Sequence, residues 1–438
     1  MIQLDTNDIG GLVLPDKVHR RIYTDPDLFD LEMQRIFGRV WVFVGHESQV
    51  PEPGDWIKSR IGTRHVLLTR DREGEIHVLR NQCAHRGMAV CGGERGSAQR
   101  LVCPYHGWAF HLDGSLAGVP HPRGYSNAIR PGDPDHALAR APRVTNHRGF
   151  VFASLADDGP TLIEYLGDMA LALDNMADRA PAGRIEIAGG VHRQEFHGNW
   201  KLHMENACDL VHPGFVHESS IDSARDVVGA AGAPDQTDQA IQMFHANGMN
   251  LDRADELNVY GYANGHCYMD GFYQGGLMDP SLDDPAFERY KAALVAVHGE
   301  TRTGEILGRD AFNNLIYPNL NFNTRFQQLR VIHPVAVDRT QIFSYALRLV
   351  GAPEEMFRIS LRFVTAANSP ASPISSDDLA IFDQIQATLT DGGIDWIDLS
   401  RRFGQDAPLG NAGVTGAGTS ELPIRTLLGA WRKLMMAA

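Results

Sequence analysis

Nowhere is this sequence apolar over the roughly 18 consecutive residues that a membrane helix needs, so no spanning segment is expected. Positive charge is also scarce: 40 Lys and Arg face 54 Asp and Glu, for a formal net charge of −14. That balance argues against nucleic acid or an anionic membrane as the main partner, since both demand a basic face. The opening residues carry acid where an export signal carries base, and no apolar core follows them. A cytoplasmic location is the expectation. Cysteine is sparse, at positions 83, 91, 103, 208 and 267. In that compartment the five are expected as metal ligands, catalytic groups or small core residues, not as disulfides. There is no internal repeat, no low-complexity tract and no Gly-rich phosphate loop after a strand, so no nucleotide or flavin module is expected. Electrons, if the chain uses them, must come from another polypeptide.

What is present suffices for two or three domains, since 438 residues at 43% hydrophobic can bury large cores. Thr24-Asp25-Pro26 predicts a helix start, a capping side chain followed by proline in the first turn, with Leu28, Leu31 and Phe37 as its apolar stripe. From Val40 to about Leu155 the composition favours short strands between Gly, Asp and Asn turns, an all-β region. Asp157-Asp158-Gly159-Pro160 ends it. The remainder mixes helices and strands without regular alternation, so the expected class is α+β: an N-terminal all-β domain and a C-terminal domain with an antiparallel sheet flanked by helices. The expected boundaries are 1–40 for a helical segment packing on the C-terminal domain, 41–157 for the β domain and 158–438 for the rest. Within the last, Ile185–Phe196, Asn319–Val335 and Gln341–Val350 read as strands and Gly198–His212 as a helix. Ser223–Gln239 reads as a polar, alanine-rich loop. Ser375-Ser376-Asp377-Asp378 reads as the start of another helix, with Leu379, Phe382, Ile385 and Leu389 on its apolar face.

Two constellations carry chemistry. In the β region stand Cys83-Ala84-His85-Arg86-Gly87 and Cys103-Pro104-Tyr105-His106-Gly107-Trp108, that is, C-x-H and then C-x-x-H. Two thiolates and two imidazoles on two tight loops can hold a [2Fe–2S] cluster, with sulfur on one iron and nitrogen on the other, a Rieske centre. A zinc site could use the same four side chains, but zinc sites usually pair C-x-x-C with H-x-x-x-H. Glycine after each histidine lets loop backbone approach the cluster sulfurs.

The second constellation is N-W-K-L-H-M-E-N-A-C-D-L-V-H-P-G-F-V-H, Asn199–His217. Asp209, His212 and His217 are the raw material of a facial site with two histidines and one carboxylate. Asp209 and His212 share a helix face, and Pro213-Gly214 can break the winding and turn His217 toward the same ion. Core histidines on an apolar helix are the ordinary alternative.

In this order the paired loops and N-W-K-x-x-x-E-N-x-x-D-x-x-H-x-x-x-x-H resemble the catalytic α subunit of the Rieske non-haem iron aromatic-ring-hydroxylating oxygenases, over nearly the whole chain. The resemblance implies that Cys83, His85, Cys103 and His106 bind the cluster and that His212 and His217 bind a mononuclear Fe(II). It also moves Asp209 out of the iron's ligand set. The matching aspartate bridges a cluster histidine of a neighbouring subunit to an iron histidine. The iron's carboxylate is then expected at the start of a downstream helix, where Asp378 is preferred to its neighbour Asp377, whose alternative role is to complement the helix dipole. Asn206 is expected to support the site.

By the same resemblance the activity is cis-dihydroxylation of an aromatic ring with O2 and NADH-derived electrons. A reductase supplies them, with or without a ferredoxin, and the assembly is α3β3 with a small β subunit, or α3. Asn314–Phe322 and Leu329–Pro334 are most similar to oxygenases of benzoate, anthranilate or salicylate, which suggests an acidic aromatic substrate or an arylacetate. Arg325 or Arg330 could pair its carboxylate, although each taken singly is ordinarily a structural arginine. The rival readings are a Rieske monooxygenase or demethylase, and a non-catalytic electron carrier, which would leave Asp209, His212, His217 and Asp378 without a task.

Overall fold

The structure is a computed structural model describing residues 6–125, 129–282, 284–410 and 413–437. Residues 1–5 of the segment expected over 1–40 lie outside the described residues. The chain divides into two compact units, one drawn from Met1–Ile36 and Ile163–Ala438, the other from Phe37–Leu162.

Short antiparallel strands make up the smaller unit. Val42–His46 joins Phe150–Ser154 and Arg143–His147 in one sheet. Ile76–Arg80, Arg64–Arg70, Asp55–Ile61 and Arg95–Ser97 form a second, and Leu101–Val102, Ala109–Phe110 and Leu116–Gly118 a third. Runs such as Phe150-Val151-Phe152 are fully buried, as β-branched and aromatic side chains on a pleated surface should be. Leu67, Leu79, Trp108, Phe110 and Leu116 pack with Cys83 and Cys103 in one core, so the two cysteines are anchored from below by apolar side chains.

The larger unit is built on a nine-stranded antiparallel sheet. Its spatial order is Ile185–Phe196, Arg339–Leu349, Gln328–Ala336, Leu320–Asn323, Phe312–Ile316, Cys267–Asp270, Asn258–Tyr262, Gly413–Ala417 and Ala407–Leu409. Helices Glu354–Asn368 and Leu422–Met436 pack on it. The N-terminal helix Pro26–Arg35 starts as its residues require, with the Asp25 side chain accepting from the N–H groups of Asp27 and Leu28. From that helix Glu32, fully buried, accepts from Trp200 Nε1 at 2.8 Å, Lys201 Nζ at 2.5 Å and Trp431 Nε1 at 2.6 Å. Three donors satisfy a charge that burial alone would make very costly.

Three local expectations need correction. The predicted loop Ser223–Gln239 is in large part the helix Glu218–Ala231, which buries only the small face of Ser220, Ile221 and Ala224 and so lacks a strong apolar stripe. The single strand expected over Asn319–Val335 is two, Leu320–Asn323 and Gln328–Ala336, joined by a turn in which Gln327 takes a positive φ of 46°. The helix expected over Gly198–His212 is shorter, Trp200–Asn206, capped by the Asn199 side chain and ended before Asp209.

Candidate metal centres and the active-site cavity

The two cysteine–histidine loops share one backbone design. In the first, Gly87 N–H donates to the Cys83 carbonyl at 2.9 Å and Cys83 N–H to the Met88 carbonyl at 2.8 Å. In the second, Gly107 N–H donates to the Cys103 carbonyl at 3.0 Å and Cys103 N–H to the Trp108 carbonyl at 2.8 Å. Gly87 and Gly107 sit at φ of 74° and 69°, a region open to glycine at little cost. The loops bring the His85 and His106 rings to 4.7 Å between centroids, and His85 stacks on Trp108 at 4.9 Å with an interplanar angle of 6°. Burial, with the Cys103 sulfur close by, raises the Cys83 thiol, while the backbone N–H groups of His85 and Arg86 favour its thiolate. His85 Nδ1 is buried with no hydrogen-bond partner. Two facing sulfurs and two close imidazoles, one with an orphaned nitrogen, fit a cluster that takes sulfur and nitrogen ligands.

In the larger unit, ligand atoms of His212, His217 and Asp378 lie within 4.8 Å of one another. Asp378 Oδ1 is 3.3 Å from His217 Nε2 and 3.7 Å from His212 Nε2, so both imidazoles turn the same nitrogen toward it. The winding does break where proline predicts: His212 precedes the single turn Pro213–Val216, and His217 follows it. Asp378 comes from the first turn of the helix Ser375–Asp391. Behind the imidazoles, His212 Nδ1 lies 3.5 Å from Asp209 Oδ2, and His217 Nδ1 lies 3.5 Å from Asp377 Oδ2. The adjacent aspartates thus divide, Asp378 in front and Asp377 behind. Asn206 Nδ2 donates to Asp378 Oδ1 at 3.1 Å.

Electrostatics follow this arrangement. Burial would raise the Asp378 carboxyl, but His217, His212 and Asn206 outweigh it and hold the pKa below the usual carboxylate value. At Asp209 burial is likewise overcome, by His212, the Val211 N–H and Arg401. Arg401 Nη2 donates to Asp209 Oδ1 at 3.1 Å. Burial would lower His217, yet Asp378 and Asp377 raise it. Two imidazoles and a carboxylate kept ionised, each with outer partners in reach, fit a divalent first-row metal with open positions.

Over this triad opens a cavity with apolar walls, including Met243, Phe272, Phe312, Ile342, Phe363 and Phe382. Two polar side chains that sequence reasoning assigned no firm role also line it. One is His203, which shares a helix face with Asn206 three residues on, a signal that spacing could have supplied. The other is Arg330, from the middle of the strand Gln328–Ala336. Arg401, which holds Asp209 from far along the chain, had no sequence signal.

Comparison with known proteins places this geometry. Residues 40–130 match the Rieske [2Fe-2S] domain and residues 186–405 match the ring hydroxylating alpha subunit (catalytic domain). The chain is 32% identical over 392 residues to the 2-halobenzoate 1,2-dioxygenase large subunit of Burkholderia cepacia, covering 88% of this chain and 80% of that one. The chain belongs to the ring-hydroxylating dioxygenase large subunits. The anthranilate 1,2-dioxygenase large subunit of Acinetobacter baylyi is 30% identical over 393 residues, covering 89% of this chain and 81% of the relative. Naphthalene 1,2-dioxygenase from a Rhodococcus species, solved with indole bound, superposes with a TM-score of 0.77 at 26% identity over 96% of this chain and 94% of that one. As a Rieske-type dioxygenase large subunit, the protein uses a [2Fe–2S] cluster and a mononuclear non-haem iron held by His212, His217 and Asp378. The carrier reading falls with that assignment. Among the described residues no helix is long and apolar enough to cross a membrane.

Proposed function

We propose that the chain is the terminal oxygenase subunit for an aromatic acid of the benzoate or anthranilate kind, or an arylacetate. The observation that carries this reading is the triad beneath a cavity walled by phenylalanine and methionine and interrupted by a guanidinium. The 2-halobenzoate and anthranilate dioxygenases it resembles are named for aromatic carboxylates. In this reading Cys83, His85, Cys103 and His106 hold the cluster within a domain at 41–157, and the domain at 158–438, with the segment 1–40 packed on it, holds the iron. A NADH-dependent reductase, with or without a ferredoxin, is the electron source, and the assembly is α3β3 or α3 in the cytoplasm.

When bound, the cluster supplies electrons one at a time and the iron activates dioxygen. The side chains around them orient and exclude. Asp209, fixed by Arg401 and by the N–H groups of Val211 and His212, sets the plane of the His212 ring and offers a carboxylate through which a neighbouring subunit's cluster histidine can couple to it. Asp377 does the same orienting work behind His217. Asn206 keeps one oxygen of Asp378 in place, and the apolar walls seat a ring while displacing water.

Oxygen uptake with product identification tests the proposal, using holoenzyme, a compatible reductase, NADH and a panel of benzoate, anthranilate, salicylate and arylacetates. Uptake that depends on an aromatic acid, with both atoms of labelled O2 in one dihydroxylated product, is expected. One labelled atom, or loss of a methyl group, would instead assign monooxygenation or demethylation. Turnover of neutral arenes alone would sink the acid-substrate reading.

A further inference from the structure

Most polar groups around the cavity are already used. The Gln328 amide donates to Asn368, and Ser375 donates to Gln194 Oε1 at 2.8 Å. Two are not. His203, only 5% exposed, has neither ring nitrogen hydrogen-bonded, and Arg330 Nε is buried without a partner. Arg330 Nη2 donates to Asn313 Oδ1 at 3.2 Å, and among the described residues no carboxylate forms an ion pair with it.

The two groups belong together. The helix Trp200–Asn206 packs against the strand Gln328–Ala336, and both side chains line the same cavity. Burial, and then the Arg330 charge, push the His203 pKa down to about 3, so its imidazole is neutral at physiological pH. Burial also pulls Arg330 down to about 10, against the nearby Asp378 charge, which leaves it a cation at neutral pH. A cation with a spare donor and, among the described residues, no carboxylate in direct ion-pair contact is costly to enclose unless a ligand brings the anion. Arg325, the other arginine considered for this task, is differently placed. Its Nη1 donates to the Asp279 carbonyl and its Nη2 to Gln242 at 3.3 Å, its guanidinium lies over the rings of Tyr273 and Phe326, and it does not line the cavity, although its Nε too is unpaired.

We infer that Arg330, assisted by His203, is the anchor for the substrate's carboxylate: the Arg330 guanidinium, which lines the cavity, and a His203 N–H brought forward by a turn of its ring donate to the oxygens while the substrate ring lies against the apolar walls. This rests on the reading of the substrate as an aromatic acid and names the residues that would enforce it. It makes Arg330 a specificity-determining residue, separate from the three iron ligands.

The test is equilibrium binding of benzoate and of its neutral isostere benzamide to the iron-loaded holoenzyme, followed by calorimetry. Wild type should hold benzoate at least about 10-fold more tightly than benzamide, because one partner pair is charge-assisted. Arg330→Gln should erase that preference by weakening benzoate, and His203→Leu should reduce it about 3-fold, as the loss of one neutral hydrogen bond does. If the preference persists in Arg330→Gln, the anchor lies elsewhere and this inference is wrong, while the acid-substrate reading stands. If wild type shows no preference, both fail and the dioxygenase assignment remains. Should Arg330→Gln yield no folded holoenzyme, judged by its cluster spectrum, Arg330→Lys carries the test. Its point charge lacks the planar fork, so the preference should drop several-fold; an unchanged preference overturns the inference.

Discussion

The cluster loops and the mononuclear iron site are two solutions to holding metal. Each loop is closed by its own backbone within six residues, Cys83–Met88 and Cys103–Trp108, with the same pair of hydrogen bonds and the same left-handed glycine. The iron site has no such local frame. Its ligands come from a broken helix and from the first turn of a distant one, and its outer partners include Arg401, 192 residues from Asp209. Local sites depend on a few φ angles, assembled sites on the whole tertiary structure.

Removing one ligand from each should separate them most sharply. His212→Ala is expected to abolish turnover and lower bound iron by about one third, with the cluster's visible absorbance intact. Cys103→Ser should do the reverse, eliminating that absorbance while the larger unit still binds one Fe(II), read by iron analysis and spectroscopy. Loss of both metals in either variant would mean the sites are not independent.

One step back from the ligands, Asp209→Ala should reduce turnover about 10–100-fold with both metals present, the usual effect of removing an orienting partner. Single-turnover kinetics would locate the defect in electron delivery, and an unchanged rate would remove Asp209 from that path.

Glu205 probes the dependence of the assembled site on distant parts of the chain. It accepts from Tyr23 Oη at 2.8 Å, and burial raises its pKa to about 7, with Tyr23 and Lys201 pulling the other way. An acid whose folded pKa lies above its unfolded value of 4.5 contributes fully below pH 4.5 and loses that contribution as pH rises toward 7. Glu205→Gln should therefore flatten the decline in stability between pH 4.5 and 7 and gain up to about 3 kcal/mol at pH 8, seen in denaturant melts.

The smallest effects concern the glycines. An alanine at Gly107 would meet Pro120 Cγ at 3.0 Å in a left-handed backbone, whereas at Gly87 the nearest atom is the movable Gln82 amide at 3.3 Å. Gly107→Ala is expected to cost about 2 kcal/mol and Gly87→Ala about 1 kcal/mol, compared by unfolding of the holoprotein.

That contrast also explains what could be read from the chain alone. The backbone design of the C-x-H and C-x-x-H loops is legible because cysteines, histidines, glycines and closing hydrogen bonds are neighbours in sequence. The strand Ile185–Phe196 and the Asp25 cap are legible for the same reason. Asp378 was preferred to Asp377 only through a family likeness, because two adjacent aspartates in a helix's first turn differ only in what they face. The helix Glu218–Ala231 escaped notice because it buries small residues, and the turn between Leu320–Asn323 and Gln328–Ala336 because neither glycine nor proline marks it.

Glu32 has a consequence for how the molecule is made. Its three donors lie 168, 169 and 399 residues further along, the last on the helix Leu422–Met436. The stretch Phe37–Leu162, by contrast, is a continuous piece of chain. During synthesis the smaller unit emerges whole and free to fold, while Glu32 in the segment before it must wait for Trp200 and Lys201, and longer still for Trp431. The connectivity thus lets the unit that carries the cysteine–histidine loops be complete before the unit that carries the iron triad.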